Sequence, residues 1–92
     1  NNLNSLEELS FSLDFNLSSK DEQPIEFGYF HRLKTFRITR TYLDSINIFK
    51  FTGFVNLIFL DLSANKLKSL DSLLFKNLSN LEKIDLSSNC LI

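Results

Sequence analysis

The stretch that decides the fold is Leu57-Ile58-Phe59-Leu60-Asp61-Leu62-Ser63-Ala64-Asn65-Lys66-Leu67. Moving 24 positions onward, the chain reads Leu81-Glu82-Lys83-Ile84-Asp85-Leu86-Ser87-Ser88-Asn89-Cys90-Leu91, with counterparts for the spaced Leu residues and for the Asn. Moving 24 positions back, it reads Leu33-Lys34-Thr35-Phe36-Arg37-Ile38-Thr39-Arg40-Thr41-Tyr42-Leu43, with Thr41 at the position of the Asn. A constant period in this range is the signature of a solenoid, in which each repeat is one structural unit.

The period divides the chain into one irregular repeat and three regular ones, the last of them truncated. The irregular repeat opens at Leu6, which lies 27 residues before Leu33, so three extra residues must be accommodated. The polar segment 18–24 is the natural place for them. The alternative register uses the longer alternation from Leu9 to Leu17. With no cap in view, we interpret the chain as a piece of a longer solenoid, divided into residues 6–32, 33–56, 57–80 and 81–92.

Each repeat opens with a period-two alternation of apolar and polar residues, which is typical of a half-buried strand. In the central repeat, Leu60 and Leu62 point to one face and Phe59, Asp61 and Ser63 to the other. Because the strands recur at a fixed spacing and run the same way, they are expected to form a parallel sheet. The return segments are the parts of each repeat that lead from the end of one strand back to the start of the next. They carry two further apolar rows that keep the 24-residue spacing and should stack across repeats: Phe27, Phe51 and Phe75, and then Phe30, Phe54 and Leu78.

Composition argues against several classes of function. A net charge of −1 provides no electrostatic field that would attract nucleic acid or an anionic membrane. No apolar run reaches the length of a transmembrane helix, and the N-terminus lacks the pattern of a signal peptide. If the protein has a signal peptide or a transmembrane segment, we expect it to lie outside this chain. His31 is the only His and the chain has only two Gly, so neither a catalytic triad nor a phosphate loop is indicated. We therefore expect no enzyme activity, no cofactor and no metal site.

The repeat pattern resembles the leucine-rich repeat family, closely over residues 33–92 and loosely over residues 6–32. A 24-residue unit with Phe in its return segment is similar to the subclass common in extracellular proteins and receptor ectodomains, Toll-like receptors among them. Thr41 in the Asn position, the 27-residue first unit and the lack of cysteine-rich caps depart from that subclass. The resemblance is carried by Leu33, Phe36, Ile38, Leu43, Ile46, Phe51, Phe54, Leu57, Leu60, Leu62, Asn65, Leu67, Leu70, Phe75, Leu78, Leu81, Ile84, Leu86, Asn89 and Leu91.

This resemblance implies an α/β solenoid with parallel β-strands on its concave face and loops or short helical turns on its convex face. The Asn residues have a physical role that does not depend on the family. A tight turn after a strand leaves backbone groups unpaired, and a carboxamide can both donate to and accept from them. Asn65 and Asn89 should form a ladder, with the Thr41 hydroxyl as a poorer substitute in the same place.

The concave face follows from the register, because strand residues that point away from the core form columns across neighbouring repeats. Arg37 can pair with Asp61, whereas Asp61 and Asp85 would lie side by side as like charges. A salt-bridged surface is the expected arrangement, and a cation site is the alternative. Phe59 is either a contact for a partner or packed flat on its own sheet. The candidate partner-binding residues are Thr35, Arg37, Thr39, Arg40, Ile58, Phe59, Asp61, Lys83 and Asp85.

Asn16-Leu17-Ser18 and Asn77-Leu78-Ser79 are glycosylation sequons, of a kind that also arises by chance at this composition. Cys90 occupies the position of Lys66 and Tyr42 in the other repeats, either as a small partly buried side chain, as a partner for a disulfide with a segment beyond Ile92, or as a reactive thiol. We expect glycosylation at Asn16 and Asn77 if the protein is secreted.

The sequence thus predicts a protein-interaction module in the ectodomain of an extracellular or receptor protein. It would bind a protein ligand or co-receptor, with no nucleic-acid partner and no membrane insertion of this segment. Two alternatives remain open: an intracellular adaptor or scaffold built on the same solenoid, and a purely structural stretch of spacer repeats.

Overall fold

The computed structural model describes residues 5–12, 25–26, 28–45, 49–70 and 74–91. Asn16 and Phe27, the side chain of Phe75 and the alternation beyond Phe11 lie outside this part of the chain. The elements are, in chain order, β1 (Glu8–Phe11), β2 (Ile25–Glu26), β3 (Thr35–Ile38), β4 (Phe49–Lys50), β5 (Phe59–Asp61), α1 (Leu74–Asn77) and β6 (Lys83–Asp85).

Four strands form one parallel sheet in the order β1-β3-β5-β6. Thr35 pairs with Phe59 and Phe59 with Lys83, so the sequence period is also the strand register. Leu9 pairs with Phe36, which is the register of a first repeat that opens at Leu6 rather than at Leu9. The predicted parallel sheet with one strand per repeat is confirmed.

The return segments differ from one repeat to the next. β2 and β4 form a second parallel pair, Ile25 with Phe49 and Glu26 with Lys50, where loops or helical turns were expected. The next repeat has the helical turn α1 instead. Ile25 and Phe49 are residue types that favour strands, whereas the Leu-Phe-Lys-Asn segment of α1 contains no β-branched residue.

The core lies between the sheet and the return segments. Phe36 of β3 contacts Phe51 and Phe54, with ring centroids 5.8 Å and 4.9 Å away. Phe30 packs edge-on against Phe54 at 5.9 Å, and Leu78 continues that row as a buried residue. Burying each such side chain stabilises the fold by about 1.5–3 kcal/mol. The buried apolar residues are Leu33, Phe36, Ile38, Leu43, Phe51, Phe54, Leu57, Leu60, Leu62, Leu67 and Leu78.

Gly53 marks the closest approach of two return segments. A Cβ atom built at Gly53 would lie 1.9 Å from the carbonyl oxygen of Gly28, a distance that no side chain can occupy. The Gly53 carbonyl also accepts a hydrogen bond from the Phe30 N–H at 3.1 Å. Gly53 is therefore required by packing between repeats. Gly28 is itself in the left-handed region, with φ of 94°.

The carboxamide of Asn65 joins two repeats from a buried position. Its Oδ1 accepts hydrogen bonds from the Thr41 N–H at 3.0 Å, the Thr41 hydroxyl at 2.9 Å and the Leu43 N–H at 3.3 Å. Its Nδ2 donates to the carbonyl oxygens of Ile38 at 2.8 Å and Leu62 at 3.0 Å. One side chain thus satisfies backbone groups on both sides of a repeat boundary.

Asn89 repeats this arrangement 24 residues later. Its Oδ1 accepts from the Leu67 N–H at 2.9 Å, and its Nδ2 donates to Leu62 at 2.9 Å and Leu86 at 3.0 Å. The Leu62 carbonyl oxygen therefore receives both Asn65 and Asn89, so the two carboxamides form a continuous ladder. The Thr41 hydroxyl takes part by donating to Asn65.

A second pair of Asn residues lies at the start of the strands. Asn56 Nδ2 donates to the His31 carbonyl at 2.6 Å, and Asn80 Nδ2 donates to the Val55 carbonyl at 2.9 Å. The pair also keeps the 24-residue spacing, so Asn side chains bridge the β3–β5 and the β5–β6 repeat boundaries at both ends of the strands.

The residue before each ladder position adopts a left-handed backbone. Arg40, Ala64 and Ser88 have φ of 56°, 58° and 56°, and Tyr42 has φ of 59°. None of them is Gly, although this conformation costs other residues about 1–2 kcal/mol. The ladder hydrogen bonds hold these residues in the turn.

Candidate interaction surface

The concave face of the sheet consists of side chains in register across the strands. Glu8, Thr35, Phe59 and Lys83 are successive cross-strand neighbours. Ser10, Arg37, Asp61 and Asp85 form the next column. Adjacent strands are about 4.8 Å apart, so members of a column can contact each other directly.

Phe59 is held between two cations at the centre of this face. The guanidinium carbon of Arg37 and the Nζ of Lys83 each lie 5.0 Å from the centre of the Phe59 ring. Both distances fall within the range of a cation–π interaction, which contributes about 0.5–1 kcal/mol at an exposed site. The half-buried ring is therefore fixed by its neighbours while part of its surface remains open.

Arg37 also connects two carboxylates from different strands. Its Nη1 is 3.0 Å from Asp61 Oδ2, and its Nε is 3.4 Å from Glu8 Oε2. Asp61 is only 7 % exposed, and its second oxygen accepts the Ser63 N–H at 3.0 Å. A carboxylate this deeply covered needs such partners, so Arg37 is both a surface group and the counter-charge of Asp61.

Asp85, the last member of this column, has a lowered pKa. The Ser87 hydroxyl, which donates at 2.7 Å, and the Ser87 N–H, which donates at 3.0 Å, lower the pKa of Asp85 below 3.8. The charges of Lys83 and Arg37 lower this pKa further. Within the described ranges, no cluster of three or more His, Cys, Asp or Glu side chains could hold a metal ion.

Six of the candidate residues form one surface: Thr35, Arg37, Phe59, Asp61, Lys83 and Asp85. Thr39 follows the end of β3 and donates to the Ser12 hydroxyl at 3.1 Å. The structure places the other two candidates at opposite ends of the central strands. Ile58 lies before β5 in a groove with His31 and Asn56, and Arg40 lies beyond β3 in a groove with Tyr42.

The sequence assigned no role to two exposed aromatic residues: Tyr42, which lines the groove of Arg40, and Tyr29, which lies beside His31 of the other groove. Tyr29 is 59 % exposed and stacks on His31, with ring centroids 5.2 Å apart. Tyr42 is 50 % exposed. A signal for Tyr42 was present, because the equivalent position in the next repeat carries Lys66, a residue suited to an exposed site.

Two groups relevant to the cellular location are exposed. Asn77, the sequon residue at the end of α1, is open to solvent, and Cys90 is an exposed free thiol. Across the described part of the chain, no helix has the length and hydropathy needed to cross a bilayer.

Comparison with known proteins agrees with this architecture. A family model described as leucine rich repeat matches residues 31–91. No curated protein and no solved structure gave a significant match. The matched segment contains β3, β5 and β6, both Asn ladder residues and most of the concave face. The chain therefore belongs to the leucine-rich repeat family.

Proposed function

We propose that this chain binds a protein ligand or co-receptor through the concave face of its sheet, as part of an extracellular or receptor ectodomain. Its membership of the leucine-rich repeat family supports a role in protein interaction, because stacked repeats expose a continuous surface for a partner. The residues assigned to this contact are Thr35, Arg37, Phe59, Asp61, Lys83 and Asp85.

The observation that carries the proposal is the Phe59 ring between Arg37 and Lys83. Binding hot spots are enriched in aromatic and Arg side chains surrounded by groups that exclude water. Here the ring and the guanidinium are already ordered by each other and by Asp61. Phe59 and Arg37 would therefore lose little side-chain entropy when a partner binds, which favours affinity.

The charges of this face favour a protein over a nucleic acid. Arg37 and Lys83 alternate with the carboxylates of Glu8, Asp61 and Asp85. Such a mixed pattern matches the alternating charges of a protein surface and repels a polyanion.

Two observations support the extracellular part of the proposal. The 24-residue repeat with Phe in its return segment is similar to the extracellular subclass of the family, and Asn77 is exposed on the return side, away from the concave face. Peptide mass spectrometry of the native protein tests this part. Glycan on Asn77 or Asn16 is the expected result, whereas unmodified peptides at both positions would favour an intracellular scaffold.

The binding proposal is tested by affinity capture with three forms of the full chain: wild type, Phe59→Ala and Lys76→Ala. Lys76 is exposed on α1, so its replacement is the matched control on the return side. Partners retained by wild type and by Lys76→Ala should be lost with Phe59→Ala, while melting curves show that this variant is still folded. Equal retention by all three forms would rule out the concave face as the contact surface, whereas capture of no partner by any form would leave the spacer function.

A further inference from the structure

A groove of about 360 Å³ lies beyond the carboxyl ends of the central strands, next to the concave face. Its walls come from the turns after β3, β5 and β6, and it is lined by Arg40, Tyr42, Ala64, Asn65, Lys66 and Ser88. This volume is within the range of about 300–1,000 Å³ that ligand sites occupy.

The described residues that line the groove include two positive charges and no carboxylate. Arg40 and Lys66 are both exposed, and among the described residues neither forms an ion pair. With the described residues, the Arg40 guanidinium makes a single hydrogen bond, a long one of 3.4 Å to the Ser12 carbonyl. The contrast with Arg37 is direct, since Arg37 is held by two carboxylates on the adjoining face.

The backbone around the groove is held in place. The Arg40 N–H donates to Ala64 at 2.9 Å, and the Lys66 N–H donates to Leu43 at 2.7 Å. Asn65 forms the floor as a 6 % exposed side chain whose amide is engaged in the ladder. The two cations and the half-exposed ring of Tyr42 thus project from a fixed frame, and fixed groups lose less entropy on binding.

We infer that this groove binds an acidic segment of a partner protein, in which an Asp or Glu carboxylate meets Arg40 and Lys66 and a neighbouring side chain packs on Tyr42. The charge of the lining selects an anion. A long polyanion is disfavoured, because Asp61 and Asp85 precede the groove on the strands that lead into it, and the net charge of the chain is −1. The groove lies outside the column of Phe59, so this inference does not depend on the concave-face proposal.

The test is selection from a random 12-residue peptide library on the immobilised full chain, followed by fluorescence anisotropy of the selected peptides. Enrichment in Asp and Glu is expected. The selected peptides should bind about tenfold more weakly to an Arg40→Gln/Lys66→Gln chain, since each replacement removes a charged hydrogen-bond donor. A Lys34→Gln/Lys76→Gln chain is the matched control, because it loses the same total charge from other surfaces and should retain affinity. Melting curves establish that the variants are folded.

Two further measurements distinguish the ways in which the inference could fail. Acidic peptides lost with Arg37→Gln/Lys83→Gln, but kept by Arg40→Gln/Lys66→Gln, would overturn the groove inference in favour of the concave face. Tighter binding of heparin than of any selected peptide would reassign the groove to a polyanion. Selection of no peptide, or of peptides without acidic residues, would also overturn the inference.

Discussion

The turns that follow β5 and β3 meet the same hydrogen-bonding requirement with different side chains. After β5, the Asn65 carboxamide donates to the Ile38 carbonyl of the preceding strand. The Ser63 N–H donates in turn to the carboxylate of Asp61 at 3.0 Å. The Asp61 and Asn65 side chains thus form hydrogen bonds with the Ser63 N–H and the Ile38 carbonyl, two backbone groups that would otherwise face each other across the repeat boundary.

After β3, Arg37 and Thr41 stand where β5 has its Asp and Asn. Arg37 cannot accept a hydrogen bond, and the Thr41 hydroxyl is directed to the next repeat. The two backbone groups therefore pair with each other, and the Thr39 N–H donates to the Phe11 carbonyl at 2.9 Å. The two substitutions compensate for one another, which leaves Arg37 available for the interaction surface.

The largest effect expected from this comparison concerns the buried ladder residue. Asn65→Ala should lower the free energy of unfolding by about 3–5 kcal/mol, because several buried backbone groups on two repeats lose their partners. Asn89→Ala should cost about 1–2 kcal/mol, since Asn89 is only half-buried and fewer groups depend on it. Urea unfolding followed by circular dichroism measures both. Equal losses would show that burial does not set the cost.

A double-mutant cycle tests the compensation between Arg37 and Thr41. Replacing both by Asn restores an acceptor for the Thr39 N–H and a donor for the Phe11 carbonyl without adding charge. We expect the double variant to be more stable than the sum of the single variants predicts, with an interaction energy of about 1 kcal/mol. Additive losses would mean that the two positions act independently.

A smaller effect is expected from the left-handed residue that both turns share. Ala64→Gly should raise the free energy of unfolding by about 0.5–1 kcal/mol, because Gly adopts positive φ without steric cost. Ala64→Val is the matched control and should lower it, since a β-branched side chain is strongly disfavoured there. Thermal melts of the two variants should therefore move in opposite directions.

The smallest effect concerns Asp85, whose equivalent position on β3 is occupied by Arg37. The pKa of folded Asp85 is lowered below 3.8, so the stabilisation from Ser87 and Lys83 is fully present above that pH and is lost as the pH falls through the lowered value. Asp85→Asn should flatten this acid-side loss of stability, and NMR titration of the wild-type carboxyl should give a pKa below 3.8. An unchanged acid limb in Asp85→Asn would contradict the assignment.

The fold and the concave columns can be predicted from the sequence for one physical reason. A parallel register equal to the repeat length determines which residues are neighbours, so the proximity of Arg37 to Asp61 and of Phe59 to Lys83 follows from counting. The same counting would also have paired Asn56 with Asn80.

Other features of the structure depend on backbone conformation and side-chain length, which the repeat period does not specify. Arg40, Ala64 and Ser88 give no sign of a left-handed backbone, because the usual Gly is missing there and the ladder imposes the conformation. Ile58 and Arg40 have the spacing of surface residues, yet the strands begin after one and end before the other. The Phe59 ring lies between two cations because Arg37 reaches diagonally across the sheet, which side-chain length rather than register determines.

The shared carboxamide of Asn65 also has a mechanical consequence. When the two ends of the solenoid are pulled apart, tension on the boundary between the β3 and β5 repeats loads all the Asn65 bonds at once, because one rigid amide holds both sides. Separation of these repeats should then be a single rupture rather than a gradual peeling. The boundary between the β5 and β6 repeats, which is bridged by the less enclosed carboxamide of Asn89, would yield at lower force.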